Sequence, residues 1–341
     1  MAALKRLFFL FWVLTPTFLM AQNWQWVRGF GGTGADRGYQ IAHHGDRVYV
    51  AGNFRGSINL GGTVLTSQGQ EDVFLMAIDT SAAAQVIWAR RLGGPGQDGV
   101  FGMTVDPAGN LLLTGRFIDQ CQFSPTLTLT NPIAGQAAVY TAKYQASGAL
   151  IWARNIAISS SFNTDATGVR VLSDPQGNAY MLCTRNSSFG PAVIQAGGLS
   201  LTAEFLSFVI KYDASGAEQW VAPLPVGNFD TLGAFQDLYE GMDLVRLPTG
   251  TIRVLSINTG IGGTGGSTFP QISTSNTMFP PLRGRSLWLD YNGNNGQFQD
   301  SIFISQGNFV PYALRRGSGG DFFVAGNSYG SFTLSNDQII P

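Results

Sequence analysis

A tryptophan recurs down this chain in the same company. Trp26, Trp88, Trp152 and Trp220 lie 62, 64 and 68 residues apart. They open the segments Trp26-Val-Arg-Gly-Phe, Trp88-Ala-Arg-Arg-Leu, Trp152-Ala-Arg-Asn-Ile and Trp220-Val-Ala-Pro-Leu. A shared register at a nearly fixed period marks an array of one supersecondary unit. The repeat therefore constrains the architecture far more tightly than it constrains the function.

Aligning the chain on the tryptophans exposes paired apolar runs separated by turn residues. The clearest copies are Met103-Thr-Val-Asp-Pro-Ala-Gly-Asn-Leu-Leu-Leu and Val169-Arg-Val-Leu-Ser-Asp-Pro-Gln-Gly-Asn-Ala-Tyr-Met-Leu. Related stretches begin at Ile41, Leu244 and Ala313. Proline presets φ for a turn, and glycine or asparagine tolerates the left-handed position, so each stretch is expected to be a β-hairpin. A second hairpin follows, from Val73, Val139, Phe208 and Leu287, through turns such as Asp213-Ala-Ser-Gly, into the tryptophan strand. Each unit thus holds four short antiparallel strands. Their nearly continuous apolar character suits strands covered on both faces. Such units are expected to be the blades of a β-propeller.

This predicts an all-β fold: a β-propeller of four-stranded antiparallel blades, with about four full blades and a partial one. The expected blades cover about 36–93, 98–157, 165–225 and 237–305, followed by a partial blade over 308–341 and preceded by an N-terminal closing strand over 22–33. Glycine fits this reading. Its 44 residues are spread among the apolar runs with no Gly-X-Y period, as many tight turns require. With a net charge of −1 and no basic block, the chain lacks the electrostatic footprint of a nucleic-acid binder.

The first 21 residues read as a signal peptide, with Lys5 and Arg6 ahead of the apolar run Leu7 to Met20 and with Ala21 at the cleavage point. The run falls short of the ~20 apolar residues of a membrane span. No second run of membrane length follows. The mature chain, residues 22–341, is expected outside the cytoplasmic membrane, secreted or on the outer cell surface. Cys121 and Cys183 fall at different points of successive repeats and read as two separate buried thiols.

Three elements carry a family resemblance. They are Trp-x-Arg-x-Phe-Gly-Gly-x-Gly-x-Asp-x-Gly from Trp26 to Gly38, Asp46-Arg-Val-Tyr-Val-Ala-Gly-Asn-Phe54, and Gly69-Gln-Glu-Asp-Val-Phe74. Together they resemble the SBBP repeat of bacterial secreted β-propellers. The resemblance covers about residues 22 to 341, is strongest in the first two copies, and fades in the fourth, where the tryptophan is replaced around Phe298. It implies an exported or surface propeller, often with a C-terminal sorting domain. Trp26 reads as the outer strand of a blade whose other strands come from the far end. The residues up to Pro341 supply only two of them. The expectation is an incomplete ring in a piece of a longer protein; a five-blade ring with a defective last blade is the alternative.

Candidate chemistry is sparse. Asp36, Asp98 and Asp165 recur once per repeat, with Asp237 roughly in register. They read as turn carboxylates accepting backbone N–H groups rather than as calcium ligands, because no Asp-x-Asp-x-Asp-Gly run exists. The tryptophans read as packing between blades. Arg28, Arg90 and Arg154 share their face and are expected to stack on an aromatic or to pair with an acid of the next blade. His43 and His44 point to opposite faces of one strand and cannot grip one metal. Glu71, Asp72, Glu218, Glu240 and Asp243 are carboxylates without a pairing signature.

No catalytic residue, metal site or cofactor is assigned. The leading reading is a scaffold or binding module for an unknown extracellular ligand, protein or glycan. Its candidate binding loop is the Thr259–Pro281 insert, with Gly262, Thr264, Ser267 and Phe269. The alternative is an extracellular polysaccharide hydrolase or lyase with its site at the propeller's central funnel, which needs two carboxylates about 5–10 Å apart.

Overall fold

The computed structural model describes residues 26–80, 84–160, 165–185, 191–203, 205–224, 226–227, 237–258 and 284–334. The elements in them are β-strands. Four antiparallel meanders succeed one another along the chain. The first blade is Arg37–His44, Arg47–Phe54, Asp72–Asp79 and Gln85–Leu92. The second is Gly99–Val105, Leu111–Ile118, Ala137–Tyr144 and Leu150–Ser160. The third is Ala166–Ser173, Ala179–Arg185, Ser207–Tyr212 and Glu218–Pro223. The fourth is Asp237–Arg246, Ile252–Asn258, Gly284–Tyr291 and Phe298–Arg316. The strand Phe298–Arg316 then continues past the fourth blade and pairs with Phe322–Leu334, forming the first hairpin of a fifth.

The blades stack face to face. In the strand Ala137–Tyr144, Ala138, Tyr140, Ala142 and Tyr144 join the core shared with the first blade, whereas Val139 joins the core shared with the third. All eight residues of this strand are buried. Side chains alternate between faces with a period of two, so burial on both faces demands the continuous apolar run seen in the sequence. The same alternation builds a core between blades three and four around Tyr180, Leu182, Trp220 and Leu289. A smaller one lies between blade four and the fifth hairpin around Leu255 and Leu314.

The first strands of successive blades lie beside one another, so they are the inner strands of a radial array. This is the geometry of a β-propeller. The arc is open at blade one among the described residues. Ile41 is 72% exposed there, whereas Met103 and Leu244, at the matching place of later inner strands, are 6% and 4% exposed.

Each of the first three blades also carries a small hairpin between its second and third strands, which the four-strand reading of the repeat left out. These are Ser57–Leu60 with Thr63–Thr66, Gln120–Ser124 with Leu127–Thr130, and Ala192–Ala196 with Leu199–Ala203. Each reaches back to the preceding unit. The first pairs with Gly31–Gly32, the second bridges from Gln122 to Gly93, and the third pairs with the end of the strand Leu150–Ser160. Successive blades are therefore joined by main-chain hydrogen bonds as well as by apolar packing.

Of the segment 22–33 expected as a closing strand, Gly31–Gly32 is paired, Trp26–Phe30 carries no strand, and the first four residues lie outside the described ones. The signal-peptide segment 1–21 and the candidate binding loop with Gly262, Thr264, Ser267 and Phe269 also lie outside them. In the fourth blade the pairing register corrects one alignment. Asp290 faces Asp300, as Lys143 faces Trp152 and Lys211 faces Trp220, so Asp300 and not Phe298 holds the tryptophan position. Among the described residues no helix is long and apolar enough to cross a membrane.

Candidate functional site at the inner strands

The repeated residues form the joints between blades. Trp88, Trp152 and Trp220 are buried, and each indole N–H donates to a carbonyl in the turn between the third and fourth strands of the next blade. The acceptors are Ala146 at 3.0 Å, Ala214 at 3.1 Å and Gly293 at 3.4 Å. The rings stack beside Tyr49, Tyr212 and Tyr180 respectively. Trp26 is half-buried and packs against the outer face of blade one. Arg90 sits over the Trp88 ring at 6.0 Å, and Arg154 lies 3.7 Å from Glu218 of the next blade. Arg28 is exposed.

Two of the recurring aspartates, Asp36 and Asp98, accept backbone N–H groups at turns as expected, whereas Asp165 is engaged by an arginine instead. Asp36 accepts the Gly32 N–H at 2.6 Å. Asp98 accepts the Gly94 N–H at 2.6 Å and that of Ile118 at 3.2 Å. Asp98 is 1% exposed, and burial pushes its carboxyl up to about 7 despite these donors. Asp165 makes an ion pair of 3.3 Å with Arg116 of the preceding blade. Asp106 tells the opposite electrostatic story. Burial works against its charge, but Lys143 at 2.8 Å and the Asn110 side chain and N–H outweigh that and hold it below the usual range. Cys121 and Cys183 are buried free thiols, and burial raises both far above the ordinary thiol range.

Other carboxylates named from the sequence are engaged or outside the description. Asp72 is fully buried against Arg91 at 2.6 Å. Glu71 accepts from Gln97 at 3.0 Å and lies 3.6 Å from Arg55. The side chains of Asp237 and Glu240 lie outside the description. His43 and His44 are both exposed, and no group of three metal-ligating side chains occurs among the described residues. An open depression of about 600 Å³ between Arg28–Gly31 and the Asn59–Gly62 turn sits at the outer edge of blade one, with Arg28 as its charged side chain.

The inner strands hold a different cluster. Each carries a β-bulge at the same place, with Tyr39, Phe101, Val169, Met242 and Tyr312 as the extra residues of the ladder. A bulge re-aims side chains and disrupts the ladder locally, and bulges concentrate beside functional sites. All five bulged residues are apolar or aromatic. Tyr39 and Tyr312 are each 39% exposed, and the Tyr39 and Phe101 rings lie 5.7 Å apart.

Immediately after the bulges of blades three and four stand Arg170 and Asp243. Arg170 forks onto Asp243 through Nε at 2.7 Å and Nη2 at 3.0 Å. Arg315, from the fifth inner strand, donates Nη1 to the same carboxylate at 2.8 Å. The Leu244 and Leu314 N–H groups donate to it at 2.8 and 2.9 Å. Asp243 is 0% exposed, whereas the Arg315 side chain is 61% exposed. Asp243 thus ties together three successive inner strands while its lone pairs are consumed by five donors. A carboxylate so saturated is built as an acceptor, with no free lone pair for a substrate proton. Sequence reading named Asp243 only as one carboxylate among several. Its partners stand 73 and 72 residues away, a distance the repeat register alone could have bridged.

No family model and no curated protein matches the sequence. Among solved structures, the chain is similar to a quinohemoprotein alcohol dehydrogenase from Comamonas testosteroni, at 12% identity and a TM-score of 0.32. The match covers 79% of this chain and 37% of that one, so the chain spans little more than a third of that enzyme's length.

Proposed function

We propose that this chain is a secreted or cell-surface β-propeller binding module of SBBP-repeat type, and that its ligand is received at the inner strands around Arg315 and Tyr312. Export is supported by Lys5 and Arg6 ahead of the apolar run Leu7 to Met20. The repeat type is supported by the unbroken motif from Trp26 to Gly38.

The observation that carries the binding site is the largely exposed side chain of Arg315, anchored on one side to a buried aspartate. Rigid presentation of a polar group limits the ordering cost of binding. The test is a binding screen of the full mature chain against extracellular glycans and proteins, repeated with Tyr312→Ala and Arg315→Ala. Both variants are expected to weaken capture of whatever ligand the wild type retains, with melting temperatures near the wild type. Capture unchanged in both variants would remove the inner strands as the site.

A further inference from the structure

Away from the inner-strand site, we propose that the outer edge of Phe322–Leu334 receives one extended strand of another polypeptide, apolar along its length and basic at its C-terminal end. In each of the four blades the second strand is paired on both sides, with the first strand and with the third. Phe322–Leu334 is the second strand of the fifth hairpin. Among the described residues it pairs with Phe298–Arg316 alone and ends its sheet.

That edge is unguarded. Strands at a sheet edge are normally blunted by charge or proline, because their free N–H and C=O groups template pairing with another chain. The outer strands of the first three blades follow the rule. Gln85–Leu92 holds Arg90 and Arg91, Leu150–Ser160 holds Arg154, and Glu218–Pro223 holds Glu218 and Pro223. The 13 residues of Phe322–Leu334 include no charged residue and no proline. By ladder register Phe323 corresponds to Leu112 of the second blade. Leu112 is 0% exposed between two blades, whereas Phe323 is 64% exposed.

The fourth blade narrows what can occupy the place. In the first three joints a buried tryptophan donates to the turn between the third and fourth strands of the next blade. In blade four that position is Asp300, which is exposed and accepts the Ser301 N–H at 2.7 Å. Without an indole, blade four has no clasp for such a turn, and a lone strand fits better than a further hairpin. A second copy is excluded by packing. Antiparallel pairing of two such edges in one sheet puts both fourth blades on the same side of it. Each fourth blade holds four strands beneath a hairpin of two, so the two blades would overlap.

Charge sets the end of the incoming strand. Ala146, two residues past the third strand of blade two, is the acceptor for the Trp88 indole of the preceding blade. The same place on an incoming strand would lie over Asp300, so a cation there meets a carboxylate where the repeat has an indole. Main-chain pairing supplies the affinity of such strand addition, and alternate side chains supply its selectivity.

The experiment is an anisotropy titration of the full mature chain with a labelled peptide of the sequence Ala137–Ser147 carrying Ala146→Lys. Two versions of it, N-methylated on one or the other alternate set of residues, are expected to differ by at least about tenfold, because only one edge of the peptide pairs. Ala146→Glu in the peptide should weaken binding about two- to fivefold, and Asp300→Lys in the protein should reverse that preference. By hydrogen exchange, the outward amides of Phe322–Asn327 should exchange fast in the free chain and slowly with peptide bound.

Absence of peptide binding, or equal binding of the two N-methylated versions, would overturn strand pairing. Slow exchange of these amides in the free monomer would show that the chain covers its own edge. Slow exchange that appears only with dimers in sedimentation would give the edge to a second copy. Either result overturns the partner strand. A preference for lysine unchanged in Asp300→Lys would overturn the basic end.

Discussion

The indole of Trp152 donates to the carbonyl of Ala214 in the next blade at 3.1 Å, and its ring occupies the space a side chain on Gly216 would need. A Cβ on Gly216 would stand 2.6 Å from the ring, and the glycine itself has φ +85°. The same arrangement links Trp88 to Gly148 and Trp220 to Gly296. The joint between blades therefore needs two residues from different repeats, an indole and a glycine in the left-handed region.

Gly216→Ala is expected to cost about 2–5 kcal/mol, summing a left-handed penalty of about 1–2 with overpacking of about 1–3. Gly45 supplies the control. It has φ +58°, but a Cβ placed there would meet nothing within 4 Å, so Gly45→Ala should cost only the conformational part, about 1 kcal/mol. Urea unfolding of the two variants measures the difference. Equal losses would mean that the indole yields without cost.

Blade one breaks the rule. Ala84 stands four residues before Trp88, as Gly148 and Gly216 stand before their tryptophans, yet it is an alanine with φ 60°. Trp26, the tryptophan that the repeat register assigns to that turn, is only half-buried. Ala84 is also fully buried in the apolar cluster on which Trp26 packs, so Ala84→Gly exchanges left-handed strain of about 1–2 kcal/mol for a lost buried methyl of about 0.8 kcal/mol and added freedom in the unfolded chain. A urea midpoint that moves by less than about 1 kcal/mol of stability, with an unchanged slope, is the expected signature.

The fold was legible because its physics is periodic. The tryptophan spacing gives the unit, Asp-Pro-x-Gly-Asn gives the turns, and the continuous apolar third strand tells that both faces are covered. The small clasping hairpins were missed because Leu127–Thr130 and its counterparts are four or five residues long and half polar, too short for a pattern to stand out. Gly61-Gly62 and Gly197-Gly198 were the available signals, since paired glycines suit tight hairpin turns. The inner-strand cluster was missed for a different reason. A bulge inverts side-chain parity without marking the sequence, so nothing local tells that Arg170, Asp243 and Arg315 converge.

Asp98 predicts a pH dependence of stability. Its carboxyl lies near 7 in the folded chain and at 3.8 as a free side chain, with burial as the main cause, the Asp72 charge adding to it and the Gly94 and Ile118 N–H groups and Arg91 opposing it. Between these values the unfolded state has lost the proton that the folded state keeps, so stability falls as pH rises from about 4 to about 7. Above that range the Asp98 contribution is flat. Asp98→Asn removes the titration, and its unfolding free energy should lose most of this slope. Thermal melts of both proteins across that range provide the check. A parallel slope in the variant would assign the dependence to other groups.

Asp243 sets the largest expected loss. Its carboxylate is fully buried and shared by Arg170, Arg315 and two backbone N–H groups, so removing its charge leaves a partly buried guanidinium without its counter-ion. Breaking one side of a buried pair costs about 3–5 kcal/mol, and Asp243→Asn is expected to fall in that range. Arg170→Met, losing a two-point contact from a side chain only 21% exposed, should cost somewhat less. Arg315→Ala removes a largely exposed partner and should cost no more than about 1 kcal/mol. A double-mutant cycle measured by urea unfolding should therefore give stronger coupling for Arg170 with Asp243 than for Arg315 with Asp243. The reverse order would mean that Arg315 holds the strands together and is not free to meet a ligand.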